Sequence, residues 1–362
     1  MNSLEQARET IDRVDRQMAE LFAERMRAAE AVAAYKKEHG LPVEDPSREG
    51  EVIRRGAECV EDDVLREYYV RFIQENMALS RAYQTRLLSG MKVAYSGTEG
   101  AFAHIATCRL FPSAEKRGYA DFVSAYRAVE TGSCDAAVLP VENSSNGEVG
   151  QVMDLMFSGG LFVNRMLDLP VTQDLLAKKG TDISEVRTVI SHPQALGQCA
   201  ARIREMGWRT EEYPNTALAA KFVAGTNDRT VAAIASAEAA ELFGLEVLER
   251  NLNASRSNTT RFAVFTRSEN RQTRGTHSAF VFTVRNEAGA LARAIDVIGH
   301  YGFNMRTLRS RPMKELLWQY YFYVEAEGDL HTPDGQNMLR ALSVFCDRLR
   351  PVGCYTVLQE GI

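Results

Sequence analysis

The first long segment of the chain constrains the fold most strongly. Residues 4–38 contain neither glycine nor proline, and apolar side chains recur among them at the three- and four-residue spacing of one helix face. The pattern predicts one continuous helix about 50 Å long. Such a helix cannot cover its own apolar stripe. It therefore needs partner helices, and we expect some of them to come from another chain.

Two shorter helices complete an all-helical region. The Gly40-Leu41-Pro42 string ends the first helix, the Asp45-Pro46 pair is a good N-cap with proline at the first helical position, and a third helix is predicted over residues 63–88. Acidic side chains outnumber basic ones here, so the arginines do not form a nucleic-acid-binding stripe.

Composition excludes several classes of protein. Of the 362 residues, 45% are hydrophobic and 25% are charged, which excludes a disordered or collagenous chain and allows two or three domains. The formal net charge of -5 argues against nucleic acid as a partner. No apolar stretch reaches the roughly 18 residues of a membrane helix, and the N-terminus does not resemble a signal peptide. We therefore expect a cytoplasmic protein without a membrane partner.

The six cysteines form no C-x-x-C pair and do not cluster with histidine along the sequence. This spacing argues against a zinc site and against a disulfide framework. We expect no metal and no organic cofactor.

After Ser89-Gly90, short β-like runs alternate with helical patterns. The runs comprise residues 92–95, 136–139, 188–190, 231–234 and 262–266. This alternation predicts an α/β region with a mostly parallel sheet, whose ligands lie beyond the carboxyl ends of the strands.

A polar linker at residues 267–277 precedes a third region. Strands are predicted over 279–284, 304–310, 317–326 and 352–358, with helices over 289–301 and 332–349. The βαββαβ order is that of the ferredoxin-like motif.

Cations of the first helix suggest an anion site. Arg25 and Lys36 are 11 residues apart, so they project from one face with about 16 Å between their Cα atoms and suit a small dianion. Arg8 lies about 25 Å before Arg25 and roughly 100° off that face, so it would serve a ligand of a neighbouring chain. Alternatively, all three are solvated helix charges.

The string LEQARETIDRVDRQMAELFAERMRAAEAVAAYKKEHGLPVEDPSREGEVI resembles the all-helical chorismate mutase domain, an intertwined homodimer that converts chorismate to prephenate. The resemblance implies cationic and polar substrate ligands, the first of them from the partner subunit: Arg8, Arg25, Lys36, Arg48, Asp45 and Glu49. The arginines would clamp carboxylates, Lys36 would face the breaking ether bond, and Glu49 would receive the substrate hydroxyl.

The third helix departs from this family. A serine and a glutamine one turn apart are expected where this chain has Met77 and Arg81. Arg81 would then donate to the ether oxygen in place of the amide. Otherwise it is a surface charge and the mutase is weak.

Four strings lie near predicted strand ends in the central region: VAYSGTEGAFAH (93–104), LPVENSSNGEV (139–149), SHPQALGQ (191–198) and TTRF (259–262). Taken singly, they read as an α/β connection, an Asn-Gly loop, a capping box with Ser191 as N-cap and Gln194 reaching back, and a β-prone run.

Together these strings resemble prephenate dehydratase, over residues 92–267. The resemblance implies a two-lobed, periplasmic-binding-protein-like fold with its active site in the cleft. The implied site residues are Glu142, Asn143, Ser144, Thr172, Ser191, His192, Gln198, Thr260, Arg261 and Phe262. Thr260 would donate to the departing hydroxyl, with Glu142 orienting the substrate and Arg261 holding a carboxylate or supporting the loop. Gln173 stands where the family commonly has histidine.

Strings of the third region resemble the amino-acid-sensing ACT domain, which binds phenylalanine at a dimer interface. The implied effector residues are Gly289, Ala290, Leu291, Asn304, Ser310, Arg311 and Pro312. Helix packing and a strand-to-loop proline are the alternative explanation. Arg309 replaces the expected glutamate, which reverses a charge beside the pocket.

The three resemblances in this order imply the bifunctional enzyme family of phenylalanine biosynthesis. The expected organisation is multidomain: an all-α mutase domain (1–89), an α/β dehydratase domain (91–268) and an α+β ferredoxin-like ACT domain (277–362). Expected partners are chorismate, prephenate and the effector L-phenylalanine, in a homodimer or tetramer. A dehydratase with a helical dimerisation arm is the alternative, and a binding protein without chemistry is a third reading that the Thr260-Arg261-Phe262 string disfavours.

Overall fold

The computed structural model describes residues 3–253, 258–271, 273–313 and 319–359. The chain divides into two compact units, Met1–Met91 and Lys92–Ile362. None of the helices in the described ranges combines the length and apolarity that crossing a membrane requires.

The first unit consists of three helices, as the sequence predicts. They are α1 (Ser3–Glu38), α2 (Pro46–Glu58) and α3 (Asp63–Ser89). Asp45 caps α2 by accepting a hydrogen bond from the Arg48 backbone N–H at 3.0 Å, and Asp62 caps α3 in the same way through Leu65. These side chains satisfy N–H groups that a helix start otherwise leaves without partners.

Much of the apolar stripe of α1 is exposed in the single chain. The buried residues of this helix are Ala29 and Ala33, in its second half. Leu4, Ile11 and Leu21 are each more than half exposed, at 56%, 57% and 64%. A contiguous apolar face of this kind marks an interaction surface.

The second unit contains the remaining helices and all strands of the described chain. The helices are α4 (Phe102–Leu110), α5 (Phe122–Glu130), α6 (Gly150–Ser158), α7 (Pro193–Gln198), α8 (Ala200–Met206), α9 (Thr216–Gly225), α10 (Ala237–Phe243), α11 (Ala290–His300) and α12 (Pro333–Ser343). The strands are β1 (Lys92–Ser96), β2 (Glu115–Tyr119), β3 (Ala136–Asn143), β4 (Gly147–Glu148), β5 (Phe162–Pro170), β6 (Asp174–Ala177), β7 (Thr188–Ser191), β8 (Arg209–Glu212), β9 (Val231–Ala235), β10 (Glu246–Glu249), β11 (Thr259–Thr266), β12 (His277–Thr283), β13 (Asn304–Pro312), β14 (Tyr320–Glu327), β15 (Arg348–Tyr355) and β16 (Val357–Gln359).

Two sheets form the α/β part. Within the described ranges, the first has seven strands in the order β16-β5-β11-β3-β1-β2 with β4 on β3, and the second has five in the order β10-β6-β9-β7-β8. The chain leaves the first sheet after β5, builds the second, and returns as β11. This double crossing produces two lobes.

The prediction of a mostly parallel sheet is only partly correct. β1 is parallel to β2 and β3, and β7 is parallel to β8 and β9. However, β11 runs antiparallel to both of its neighbours, β3 and β5, because the returning chain enters the first sheet from the opposite end. The sequence pattern does not predict short edge strands such as β8, because their residues are exposed and show no apolar alternation.

The third sheet has the predicted βαββαβ element order. Among the described residues it contains four antiparallel strands in the order β13-β14-β12-β15, with α11 and α12 as its helices. The last helix ends at Ser343 rather than residue 349, and β15 already begins at Arg348. The Asp347 N–H donates to the Thr283 carbonyl at 3.0 Å, which starts the pairing with β12 early. The predicted start of a strand at Leu317 lies outside the described residues.

The end of the chain joins the third sheet to the first. β16 pairs with β5 in parallel, beyond the βαββαβ motif. Just before it, Gly353 has φ 157°, and a Cβ atom built on it would lie 2.1 Å from the Val163 carbonyl oxygen. The two backbones pack so closely that only glycine fits here.

We expect Gly353→Ala to destabilise the second unit by roughly 1–3 kcal/mol, because the added methyl group overlaps a backbone atom that no side-chain rotation can move away. Gly299→Ala is the matched control, since nothing lies within 4 Å of its Cβ position near the exposed end of α11. Differential scanning calorimetry measures the effect. Equal thermal midpoints for the two variants would contradict the close approach.

Candidate active sites

The first unit contains a cavity of about 360 Å³ that is lined by cations from each of its three helices. All the predicted mutase residues except Arg8 line it: Arg25, Lys36, Asp45, Arg48, Glu49 and Arg81. α1 supplies Arg25 and Lys36, the start of α2 supplies Arg48 and Glu49, and α3 supplies Arg81. Arg8 lies in the exposed first half of α1 and is not part of the lining.

The charged groups of this cavity are held by short contacts. The Arg25 guanidinium donates to Asn76 Oδ1 at 3.0 Å and contacts Ser80 Oγ. Lys36 Nζ donates to the Val43 carbonyl at 2.6 Å. Arg81 pairs with Glu49 at 2.5 Å. These contacts fix the directions of the side chains before a ligand arrives.

The cavity carries excess positive charge. The described lining has four cations (Arg25, Lys36, Arg48 and Arg81) against two carboxylates (Asp45 and Glu49), which leaves a formal charge of +2. Because the side chains surround one small space, the attraction for an anion is far stronger than the net charge of the chain suggests. The cavity is suited to a small dianion.

The structure changes the interpretation of the third helix. Met77 and Arg81 do line the cavity, but Ser80 and Gln84 line it as well. Both are buried, and they lie one turn apart on the same face as Met77. Sequence reasoning missed them, although their offsets of three and seven residues from Met77 place all three on one helix face. Gln84 Oε1 is buried and has no hydrogen-bond partner within the described chain, so this oxygen is available to a ligand.

A second cavity, of about 400 Å³, lies between the lobes of the α/β part. Its described lining includes Asn143 and Thr260 from the first sheet, and His192 and Gln198 from α7 and its cap in the second lobe. These four are the predicted dehydratase residues that meet in the cleft. The lining also contains Gln173, Asn215, Thr216 and Asn258.

A chain of amide hydrogen bonds crosses this cleft. Asn143 Nδ2 donates to Thr260 Oγ1 and to Asn258 Oδ1, each at 2.9 Å. Asn258 Nδ2 in turn donates to Gln198 Oε1 at 3.2 Å. Thr260 Oγ1 therefore accepts a hydrogen bond from Asn143, which leaves its own proton free for another acceptor.

Helix starts from both lobes meet at the cleft. Its lining includes Phe102, which begins α4, and Thr216, which begins α9. Backbone N–H groups at a helix start favour negative charge. The lining among the described residues contains the Glu148 carboxylate but no lysine or arginine, so these N–H groups are its main source of positive potential.

Several predicted dehydratase residues lie outside this lining: Glu142, Ser144, Thr172, Ser191, Arg261 and Phe262. Phe262 is buried in the core. Ser144 Oγ accepts from the Thr259 N–H at 3.0 Å, and Ser191 Oγ donates to the Ile234 carbonyl at 2.5 Å. The N-cap of α7 is His192 rather than Ser191, because His192 Nδ1 accepts from the Gln194 N–H at 3.3 Å.

Glu142 and Arg261 point away from the cleft. Successive side chains in a strand face opposite sides of the sheet, so the neighbours of Asn143 and Thr260 face the third sheet. Glu142 pairs there with Arg309 at 3.1 Å. Arg261 makes hydrogen bonds to both oxygens of Asp168, at 2.7 and 2.9 Å, and these bonds raise the pKa of Arg261.

The predicted effector residues do not meet in one cavity. Leu291 lines a cavity of about 520 Å³, whereas Pro312 lines another of about 480 Å³. Asn304 and Pro312 stand at opposite ends of β13, about 26 Å apart at the usual rise of a strand. Gly289 adopts φ 79° as the N-cap of α11, Ala290 is buried, and Ser310 is exposed.

Arg311, the remaining predicted effector residue, contacts the α/β part. It pairs with Glu148 at 2.5 Å and with Asp154 at 3.1 Å, and its Nε donates to Tyr321 Oη at 3.1 Å. The side chain therefore lies between the first and third sheets and lines neither of these two cavities.

One cysteine lies closer to a histidine than the sequence suggests. Candidate ligand atoms of Glu269, His331 and Cys354 lie within 4.8 Å of one another. The three residues are far apart in the sequence, so spacing alone could not show the cluster. In the structure, His331 Nε2 lies 3.3 Å from a Glu269 oxygen, and Cys354 Sγ accepts from the Leu330 N–H.

Comparison with known proteins matches two regions of the chain to enzyme families. The family model of chorismate mutase type II matches residues 7–85, and that of prephenate dehydratase matches residues 93–270. A solved prephenate dehydratase from Arthrobacter aurescens, in complex with L-Phe, is 25% identical with a TM-score of 0.67, over 73% of this chain and 89% of that one. A solved quorum quenching acylase, GqqA, is 30% identical with a TM-score of 0.68, over 74% of this chain and 98% of that one.

One curated relative spans almost the whole chain. The bifunctional chorismate mutase/prephenate dehydratase of Enterobacter agglomerans is 30% identical, over 98% of this chain and 96% of the relative. The match includes both cavities and the region that follows them. The chain therefore belongs to the bifunctional chorismate mutase/prephenate dehydratase family.

Proposed function

We propose that the first unit converts chorismate to prephenate and that the inter-lobe cleft converts prephenate to phenylpyruvate. The observation that carries this proposal is the presence of two unlike polar cavities in one chain. One is cationic, and the other presents the Thr260 hydroxyl group among amides. Incubation of the purified protein with chorismate, with both products followed, tests the pair of activities.

The first cavity suits a rearrangement that needs no proton transfer. Chorismate becomes prephenate in one concerted step, in which a C–O bond breaks and a C–C bond forms. Catalysis then consists of holding the folded substrate and stabilising the charge that develops on the ether oxygen. Arg25 and Arg48 would hold carboxylates, while Lys36 and the amide of Gln84 would face the ether oxygen.

The second cavity suits a dehydration coupled to decarboxylation. The ring carboxylate leaves as carbon dioxide, its electron pair enters the ring, and the ring hydroxyl takes up a proton and leaves as water. Thr260 would donate a hydrogen bond to the departing hydroxyl, since Asn143 already occupies one acceptor position of Oγ1, and solvent would supply the proton. The N–H groups at the starts of α4 and α9 would attract the substrate carboxylates.

The wider organisation forms part of the same proposal. The mutase, dehydratase and ACT domains would comprise residues 1–89, 91–268 and 277–362, with L-phenylalanine as effector of the last. The exposed stripe of α1 would pair with a second copy of the chain in a homodimer, which could assemble further into a tetramer, and the partner would supply Arg8. The reactions call for no metal or organic cofactor, and we place the enzyme in the cytoplasm.

We expect Thr260→Val to lower kcat for prephenate by about 10²–10⁴-fold, because the isosteric side chain cannot donate that hydrogen bond. Mutase activity should stay at the parent level. Thr259→Val is the matched control, since Thr259 directly precedes Thr260 in β11 and lies outside the cleft lining. A Thr260→Val enzyme that dehydrates prephenate at the parent rate would refute the assignment.

We expect Lys36→Ala to lower the mutase rate by about 10²–10³-fold, through loss of charge stabilisation at the ether oxygen. Lys37→Ala is the control, because Lys37 is exposed on another side of α1. Spectrophotometric loss of chorismate measures both rates. Similar rates for the two variants would count against a role for Lys36.

A mixing experiment tests the contribution of Arg8. The Arg8→Ala and Arg25→Ala enzymes should each be inactive as mutases. Co-expression of the two should restore about a quarter of the parent activity, since half of the dimers are mixed and each of these has one intact site. If Arg8 acts within its own chain, no mixture regains activity.

A further inference from the structure

The β3–β11 strand pair has two polar faces with different partners. Thr260 and Asn143 are register partners, and they line the cleft. The next pair along, Arg261 and Glu142, are also register partners. Alternation of side chains places this second pair on the opposite face, against the third sheet.

Two ion pairs of opposite polarity join this back face to the third sheet. Glu142 on β3 pairs with Arg309 on β13 at 3.1 Å, and Arg261 on β11 pairs with Glu325 on β14 at 3.3 Å. Each strand of the catalytic pair is therefore held by a different strand of the third sheet. The cross-pairing fixes register as well as separation, because a shift would bring like charges together.

The Arg261–Glu325 contact is the more buried of the two. The Glu325 side chain is 5% exposed, and Tyr323 Oη donates to its Oε1 at 2.6 Å. Burial raises the pKa of Glu325, so its charged form depends on Arg261 and Tyr323. Asp168 on β5 holds the other edge of the Arg261 guanidinium. A partly buried, planar group bound on two sides has little freedom to move.

The Glu142–Arg309 contact belongs to a wider charged seam. Glu148 lies 3.9 Å from Arg309 Nε, and it also pairs with Arg311. The dehydratase side of the seam is acidic and the β13 side is basic. Arg309 therefore contributes to a complementary contact between the two sheets.

We propose that Glu142 and Arg261 are positioning residues of the dehydratase. Together with Arg309 and Glu325 they hold the strand pair that presents Asn143 and Thr260 to the cleft. This inference rests on the proposed dehydratase function. In this proposal the third sheet supports the dehydratase site. Glu142 and Arg261 then act on the strand pair instead of contacting the substrate as the sequence suggests.

A charge exchange separates positioning from substrate contact. Glu142→Arg and Arg309→Glu should each lower kcat for prephenate by about tenfold with little change in KM, since like charges then face each other across the seam. The double variant Glu142→Arg/Arg309→Glu restores an opposite pair and should return to within about threefold of the parent kcat. A double variant as slow as Glu142→Arg alone would overturn the proposal.

Arg306→Glu is the matched control for reversal of a charge on β13. Arg306 is exposed and pairs with Glu327 inside the third sheet, so the variant should keep the parent kcat. Turnover of prephenate by the parent protein tests the proposed function. Comparison of the parent with Glu142→Arg, Arg309→Glu and the double variant tests the inference.

A reversed charge could prevent folding, and thermal unfolding of the variants would detect this. Neutral variants then provide the test. Arg309→Gln should lower kcat by a few fold, and Glu142→Gln added to it should cause no further loss, because the two residues act through one contact. Multiplicative losses in the double variant would show that Glu142 acts independently of Arg309 and would refute the proposal.

Discussion

The antiparallel pairing of β3 with β11 is the constraint on which the dehydratase half depends. It places Asn143 opposite Thr260, which allows the 2.9 Å hydrogen bond that orients the threonine hydroxyl. The same register sets Glu142 beside Arg261 on the other face. Because strand alternation permits no other arrangement, the residues that contact the third sheet are adjacent in sequence to those that face the cleft. A one-residue slip would exchange the two sets.

The cavity of the first unit differs from the cleft in its electrostatics. It gathers four cations against two carboxylates, although the chain as a whole has a net charge of -5. Arg81 and Glu49 form an ion pair within the lining, so part of the local charge is compensated before any substrate arrives. The buried amide of Gln84 adds a neutral polar group beside these charges. Global charge therefore says little about which ligands a pocket binds, since short distances dominate the local potential.

Sequence patterns predicted the features that rest on local periodicity. The three helices of the first unit and the βαββαβ order of the third region follow from spacing within one segment. The features that the sequence did not predict depend on contacts between segments. The direction of β11 follows from the double crossing of the chain, and the outward direction of Glu142 follows from its pairing with β11. Neither is visible in the Glu142-Asn143-Ser144 string itself.

Arg309 shows how such contacts change the meaning of a substitution. Considered in the sequence alone, it reverses a charge beside an expected effector pocket. In the structure its guanidinium lies 3.1 Å from Glu142, one residue from the asparagine that holds Thr260. A glutamate at position 309 would face both Glu142 and Glu148, so arginine is the residue that makes this seam attractive. The third sheet of this chain is thus bound by charge to the back of the β3–β11 pair, at the residue next to Asn143.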